Sequence, residues 1–262
     1  MVGFIDLLAE MSKAALSEGC YEEGGLLYCG KCKTPRQCRI TICGTERVVF
    51  CLCKCEIEKD QAEKDELSRR DRNEKIRRLK SVGFPDADLL KWNFSADDGK
   101  NKRLSNITKR YVEEFGQVKK GLILHGAVGV GKTFYAACIA NALVEKGVSV
   151  LMTNFTRLTN QITATKDKQA VIDGINEFDL LVIDDLAAER NTEFMSEIVF
   201  TIIDSRYRCG KPVIITTNLS ADELINPTDT NKQRIYSRLI EMCYLVEVKG
   251  EDRRKQNMIE RI

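Results

Sequence analysis

Gly126-Ala127-Val128-Gly129-Val130-Gly131-Lys132-Thr133 decides how this chain is read. It has the form G-x-x-x-x-G-K-T, with the apolar run Gly121-Leu122-Ile123-Leu124-His125 before it and a helix-like run, 134–146, after it. Strand, loop and helix in that order are the context in which this spelling binds phosphate. A triphosphate concentrates negative charge, and main-chain N–H groups approach it closely only where no Cβ intervenes. The glycines permit that approach. The first helical turn adds unpaired N–H donors and the positive end of its dipole. Gly126, Val128, Gly129, Val130, Gly131, Lys132, Thr133 and Phe134 are therefore the candidate nucleotide contacts. Lys132 is expected to bridge the β- and γ-phosphates of ATP, and the Thr133 hydroxyl to hold Mg2+.

Downstream of the loop, apolar runs alternate with helix-like segments. Strands are expected at 122–125, 148–153, 180–184, 212–217 and 243–248, and helices at 133–146, 156–165, 168–177, 193–209 and 232–241. Nearly continuous apolar strands separated by helices imply an α/β fold, a doubly wound parallel sheet of five strands covered on both faces. Leu180-Leu181-Val182-Ile183 ends in Asp184-Asp185, which places two carboxylates at the sheet edge that also carries the loop. Asp184 is expected to hold Mg2+ through water and Asp185 to orient or deprotonate the attacking water. The run 212–217 ends in Asn218, which can position the same water. Arg238 is a candidate finger toward a neighbouring subunit's nucleotide, and Arg253 a candidate contact to the nucleotide of its own subunit.

The chain has 262 residues, 31% of them charged and 43% hydrophobic, with a net charge of +2. This fits a globular chain with a polar surface and no global field that demands nucleic acid. No apolar run approaches the roughly 20 residues of a membrane span. Asp6 and Glu10 interrupt the N-terminal apolar run and no basic segment precedes it, so a cytoplasmic, reducing setting is expected. Residues 1–19 read as an amphipathic helix with Phe4, Leu8, Met11 and Ala15 at helical spacing. That stripe either packs on the chain's own next domain or docks on a partner.

Eight of the eleven cysteines lie between Cys20 and Cys55. Cys29-Gly-Lys-Cys32 is a C-x-x-C knuckle, followed after a gap by Cys51-Leu-Cys53-Lys-Cys55. Two such clusters match a tetrahedral zinc site. In an extended strand Cys51 and Cys53 share a face, so the expected ligands are Cys29, Cys32, Cys51 and Cys53, with Cys55 the replacement for one of the last two. A redox-active C-x-x-C and unliganded thiols are the competing readings. Cys38 and Cys43 are spares, and Cys138, Cys209 and Cys243 read as ordinary buried thiols. Residues 56–81 read as a solvated helix with i,i+4 charge pairs, whose basic end also offers phosphate contacts. The expected domains are 1–80, a small zinc-binding module with its helix, and 81–262, the nucleotide-binding domain.

With these motifs in place, the chain resembles the DnaC-type helicase loaders of bacteria and phages, within the AAA+ ATPases, and more loosely the IstB transposition helpers. The resemblance rests on the loop 126–133, Val182-Ile-Asp-Asp-Leu186, Phe200-Thr-Ile-Ile-Asp-Ser-Arg-Tyr207, Ile215-Thr-Thr-Asn218, Arg234-Ile-Tyr-Ser-Arg-Leu239 and Lys249-Gly-Glu-Asp-Arg253. It implies that Lys132 and Thr133 are the Walker A pair, Asp184 and Asp185 Walker B, Asn218 sensor 1, Arg238 the trans-acting finger and Arg253 the sensor 2 position. Many AAA+ enzymes end Walker B in Asp-Glu. Here Asp185 is shorter by one C–C bond, about 1.5 Å, which suits slow turnover in a switch. The resemblance further implies ATP and ADP as ligands, self-association through the ATPase domain, and a replicative hexameric helicase as partner, gripped by the N-terminal module. It also implies single-stranded DNA binding, for which Phe155, Arg157 and 166–168 are the expected contacts. A transposition helper and an adaptor merely ordered by ATP are the alternatives.

Overall fold

The structure is a computed structural model, and the residues described are 19–42, 44–186 and 193–253. The expected N-terminal helix and Cys43 therefore lie outside the described residues. The chain divides into two compact units, Met1–Arg72 and Asn73–Ile262. The division falls inside a single long helix, α1 (Lys54–Gly83), earlier than the expected boundary after residue 80. Its last turns belong to the second unit because Ile76 is buried there and Leu79 packs on the same core.

The first unit is built on two antiparallel pairs, β1 (Tyr21–Glu23) with β2 (Leu26–Tyr28) and β3 (Gln37–Ile42) with β4 (Thr45–Phe50). Gly24 and Gly25, both at positive φ, make the two-residue turn of the first pair. Among the described residues of this unit, only Cys29 and Cys53 are buried. Its centre is thus made of thiols, and too little apolar surface is removed from water to hold two hairpins. Helix α1 is solvated over most of its length, as its composition predicts. Lys54–Glu58, Lys59–Glu63, Glu66–Arg70 and Glu74–Arg78 form i,i+4 ion pairs, each of small value in water.

The second unit is a five-stranded parallel sheet in the order β6-β7-β8-β5-β9. Its strands are β5 (Gly121–His125), β6 (Val150–Asn154), β7 (Leu180–Leu186), β8 (Val213–Thr217) and β9 (Cys243–Glu247). The period-two alternation of strand side chains splits the core into two layers. Leu122, Leu124, Leu180, Val182 and Ile214 face one layer, which contains helices α2 (Lys102–Glu113) and α3 (Lys132–Glu145). Ile123, Leu181, Ile183, Val213 and Ile215 face the other. That layer contains α4 (Phe155–Ala164), α5 (Lys168–Glu177), α6 (Glu193–Cys209), the short α7 (Ala221–Ile225) and α8 (Thr230–Met242). This is the expected doubly wound architecture. Strand β5 lies between β8 and β9, while the chain leaves it for β6 on the far edge, so the loop after β5 opens at a topological switch point.

Helix α2 starts at Lys102, before the first helix expected downstream of the loop. The Asn101 side chain accepts from Leu104 N–H as its N-cap, and Leu104, Thr108, Tyr111 and Val112 form its buried stripe. Gly116, at positive φ, follows its end. Cys209 corrects a second expectation: it ends α6 exposed, whereas Cys138 and Cys243 are buried. No helix among the described residues is long and apolar enough to cross a membrane.

Candidate active site and metal centre

The loop 126–133 connects β5 to α3, whose first residues are Lys132 and Thr133. Gly131 precedes the helix at φ 98 with no side-chain cap, which leaves the first-turn N–H groups for a ligand. Gly129 lies at φ 81, and a Cβ there would stand 1.9 Å from Asp252 Oδ1. Glycine is required at 129 both for its backbone and for its lack of a side chain. Lys132 is 7% exposed. Its Nζ donates to Gly126 O at 2.9 Å, Ala127 O at 2.7 Å and Asn218 Oδ1 at 2.8 Å. Asn218 in turn donates through Nδ2 to Asp185 Oδ1 at 3.4 Å. Lysine, asparagine and aspartate from the ends of three elements thus form one connected group.

Asp184 and Asp185 lie in the last part of β7, where the register with β8 shifts between Ile183 and Leu186. Burial raises the Asp184 carboxyl above its usual range, and the Asp185 charge adds to this. Hydrogen bonds from the Thr216 and Thr133 hydroxyls and the Lys132 charge act the other way. A half-buried carboxylate beside the Thr133 hydroxyl is an all-oxygen donor pair of the kind Mg2+ takes. These residues fit that ion, whose charge would favour the ionised acid. Thr216 is the residue that sequence reasoning left without a role. Its only signal was a hydroxyl at an otherwise apolar, buried strand position.

Arg253 is brought to the loop. Its N–H donates to Gly129 O at 3.1 Å, and its Nη2 to Asp98 Oδ1 at 3.1 Å. Its guanidinium lies 5.9 Å from the Phe134 ring centroid and 6.0 Å from that of Tyr135. Phe134 also stands 6.3 Å from Trp92, so the upstream aromatic packs against the residue that follows Thr133. Arg238, on α8, has different partners. Its Nε donates to Asp204 Oδ1 at 2.6 Å, its Nη1 to Arg234 O, and its guanidinium lies over Phe200. Phe155 is 1% exposed and packs in the core, so it offers no stacking face for a base. Arg157 stands beside it in an open groove with Asn154, Thr156 and Asn160.

In the first unit, the Sγ atoms of Cys29, Cys32, Cys53 and Cys55 all lie within 4.8 Å of one another. Cys55 stands 3.5 Å from Cys29 and 3.7 Å from Cys53. Tetrahedral zinc with Zn–S bonds of ~2.3 Å needs S–S separations of about 3.8 Å, so the four thiols fit the ion. Crowding opposes their joint ionisation. Hydrogen bonds to Cys32 and Cys29 push the Cys55 thiol up to about 12, while the Thr34 hydroxyl draws Cys32 down to about 5. Cys55, and not the expected Cys51, stands in the cluster. Helix α1 begins at Lys54 and turns Cys55 back over Cys53, whereas Cys51 donates to Pro35 O at 3.5 Å. Glu56 accepts from Cys53 N–H and pairs with Arg36, which also donates to Cys20 Sγ. These contacts hold the cysteine-bearing turn from outside the cluster.

The sequence model of the family described as "IstB-like ATP binding protein" matches residues 57–261. The chain belongs to this family. Among its relatives, the replicative helicase loader DnaI of Bacillus subtilis is 28% identical over 52% of this chain and 48% of its own length. A putative ATP-binding protein in an insertion sequence of Mycobacterium tuberculosis is 26% identical over 71% of this chain and 76% of its own. The crystal structure of the DnaC helicase loader superposes with a TM-score of 0.52, at 27% identity, over 62% of this chain and 99% of that one. The chain is thus a DnaC-like member of this ATP-binding family, and its five-stranded parallel sheet matches that of the DnaC loader. The match to DnaI spans about half of that loader's length.

Proposed function

We propose that this chain is an ATP-driven loader of a replicative DNA helicase. The observation that carries the reading is the connected group Lys132–Asn218–Asp185, set beside Asp184 and Thr133 at the mouth of the phosphate loop. Loop N–H groups and Lys132 bind the triphosphate, which takes over the lysine's donors from Gly126 O and Ala127 O. Thr133 and Asp184 would hold Mg2+, which would supply positive charge to the phosphates. Asp185 accepts the proton of the attacking water, and Asn218 keeps that carboxylate aimed. Arg253 faces the nucleotide of its own subunit. Arg238 reaches a neighbour's nucleotide on self-association, which requires it to leave Asp204. Residues 1–80 grip the helicase, single-stranded DNA lies along the surface that carries Arg157, and hydrolysis releases the helicase.

Lys132→Ala is expected to weaken ATP binding about 10- to 100-fold by calorimetry, the equivalent of roughly 1.5–3 kcal/mol for hydrogen bonds to a charged group. Asp185→Asn should bind ATP as the unaltered chain does, hydrolyse it slowly, and remain attached to the helicase when the mixture is resolved by size. If it releases the helicase normally, hydrolysis is not the switch.

The insertion-sequence relative favours a second reading, a transposition helper that remodels target DNA with the same ATPase. The family match begins at residue 57, after the cysteine cluster, so that module is an addition to the shared part. A pull-down of the host helicase with and without residues 1–80 separates the two. Retention that needs the module supports the loader.

A further inference from the structure

Two acids share one partner at the end of β7. The parallel register pairs Ile183 with Ile215 and then Leu186 with Thr217. Asp184 and Asp185 therefore both stand opposite Thr216, a bulge that takes the extra residue out of the regular ladder. Asp185 pays for its place with φ 62, a left-handed conformation unusual for a side-chain-bearing residue. The Thr216 hydroxyl serves both acids. Its oxygen accepts from Asp185 N–H at 2.8 Å, and its proton goes to Asp184 Oδ1 at 2.5 Å. A hydroxyl has one donor and two acceptor sites, so the two bonds are compatible. Thr216 is 1% exposed, so water does not compete for either bond. The next residue closes the bulge, since Thr217 Oγ1 donates to Leu186 O at 2.9 Å.

We propose that Thr216 is a positioning residue for ATP hydrolysis, one hydroxyl that fixes the magnesium-side acid and the water-side acid relative to each other. The assignment rests on the ATPase reading above. Without the hydroxyl, Asp184 loses one of its two hydroxyl partners and is held by Thr133 alone. The Asp185 amide loses its partner, and the strained turn that aims its carboxylate at Asn218 relaxes. Valine keeps the shape of threonine and removes both bonds; serine keeps both bonds and removes a methyl group.

The full-length chain and its Thr216→Val and Thr216→Ser variants are compared in two measurements: steady-state ATP hydrolysis, and calorimetric ATP affinity with and without Mg2+. Because a misplacement of ~1 Å can cost about 100-fold, Thr216→Val should lower kcat roughly 10- to 100-fold with KM changed by no more than about 3-fold. The gain in ATP affinity brought by Mg2+ should shrink in the same variant, whereas affinity without Mg2+ should not change. Thr216→Ser should restore both. Thr216→Ala, which removes the same hydroxyl, takes the place of the valine variant if that one does not fold. Hydrolysis at the unaltered rate by the valine variant, or equal impairment of serine and valine, overturns the assignment alone. An unaltered chain that takes up no ATP at millimolar Mg2+ overturns the ATPase reading and this assignment together.

Discussion

Cys55→Ser is expected to strip the chain of zinc, and Cys51→Ser to leave it loaded. The two cysteines are close in sequence but differ in place. Cys55 stands within bonding geometry of a shared ion with Cys29 and Cys53, while Cys51 faces the Pro35 carbonyl. The effect on folding should be large. Among the described residues of the first unit only Cys29 and Cys53 are buried, so the hairpins have almost no apolar core to fall back on. A structural zinc site contributes an apparent ~10–16 kcal/mol at neutral pH, as much as the whole stability of a typical domain. Metal analysis of the purified chain should give about one zinc per molecule for the unaltered protein and for Cys51→Ser, as a closed four-thiolate site implies. Cys55→Ser should carry almost none and be cleaved by protease within residues 19–53. Calorimetric ATP binding should survive in that variant, because the loop, Lys132 and the paired acids all belong to the second unit. Zinc kept by Cys55→Ser and lost by Cys51→Ser would restore the ligand set read from spacing.

That contrast marks where the sequence is legible. The run C-x-C-x-C offers two registers, an extended one that pairs Cys51 with Cys53 and a helical one that turns Cys55 back. The start of α1 at Lys54 decides between them, and helix starts are the least certain part of a sequence reading. The nucleotide loop was legible because its spelling and its flanks are one local pattern. The parallel sheet was legible because strands buried on both faces are written as unbroken apolar runs. Thr216 was not legible. Threonine is a good strand former, so a threonine in β8 reads as filler until the register places two acids across from it. Phe155 was misjudged for the opposite reason. An aromatic beside basic and polar residues invites a stacking role, and only packing shows that it faces the sheet core. Arg238 was placed on its helix correctly, but its hold on Asp204 depends on α6 and α8 lying side by side, which no local pattern states.

Arg206 escaped the reading as well, and replacing it is the other change expected to have a large effect. An arginine in a mixed helix is usually a solvated one, yet Arg206 is fully buried. Its Nη1 donates to Phe178 O at 2.9 Å, and its Nη2 to Asp179 O at 3.0 Å and Pro212 O at 2.8 Å. Those carbonyls immediately precede β7 and β8, so one guanidinium ties together the entry ends of the two strands whose exit ends carry the acids and Asn218. Burial lowers its pKa to about 10, partly offset by the Cys209 thiol and Asp179, so it remains protonated at neutral pH. Arg206→Met keeps much of the volume but leaves three carbonyls without their donor. An acceptor left without its donor away from water costs about 1–3 kcal/mol, so three of them with partial relaxation cost roughly 3–5 kcal/mol. For a domain of this size that corresponds to a fall in Tm of roughly 6–20 °C. Arg206→Lys keeps the charge but loses the planar fork, and should fall between the two. Since the substitution lies at the opposite edge of the sheet from the loop, calorimetry below the lowered Tm should show ATP affinity close to that of the unaltered chain. A Tm unchanged within about 2 °C, less than the shift expected for 1 kcal/mol, would mean that water replaces the guanidinium at those carbonyls without loss.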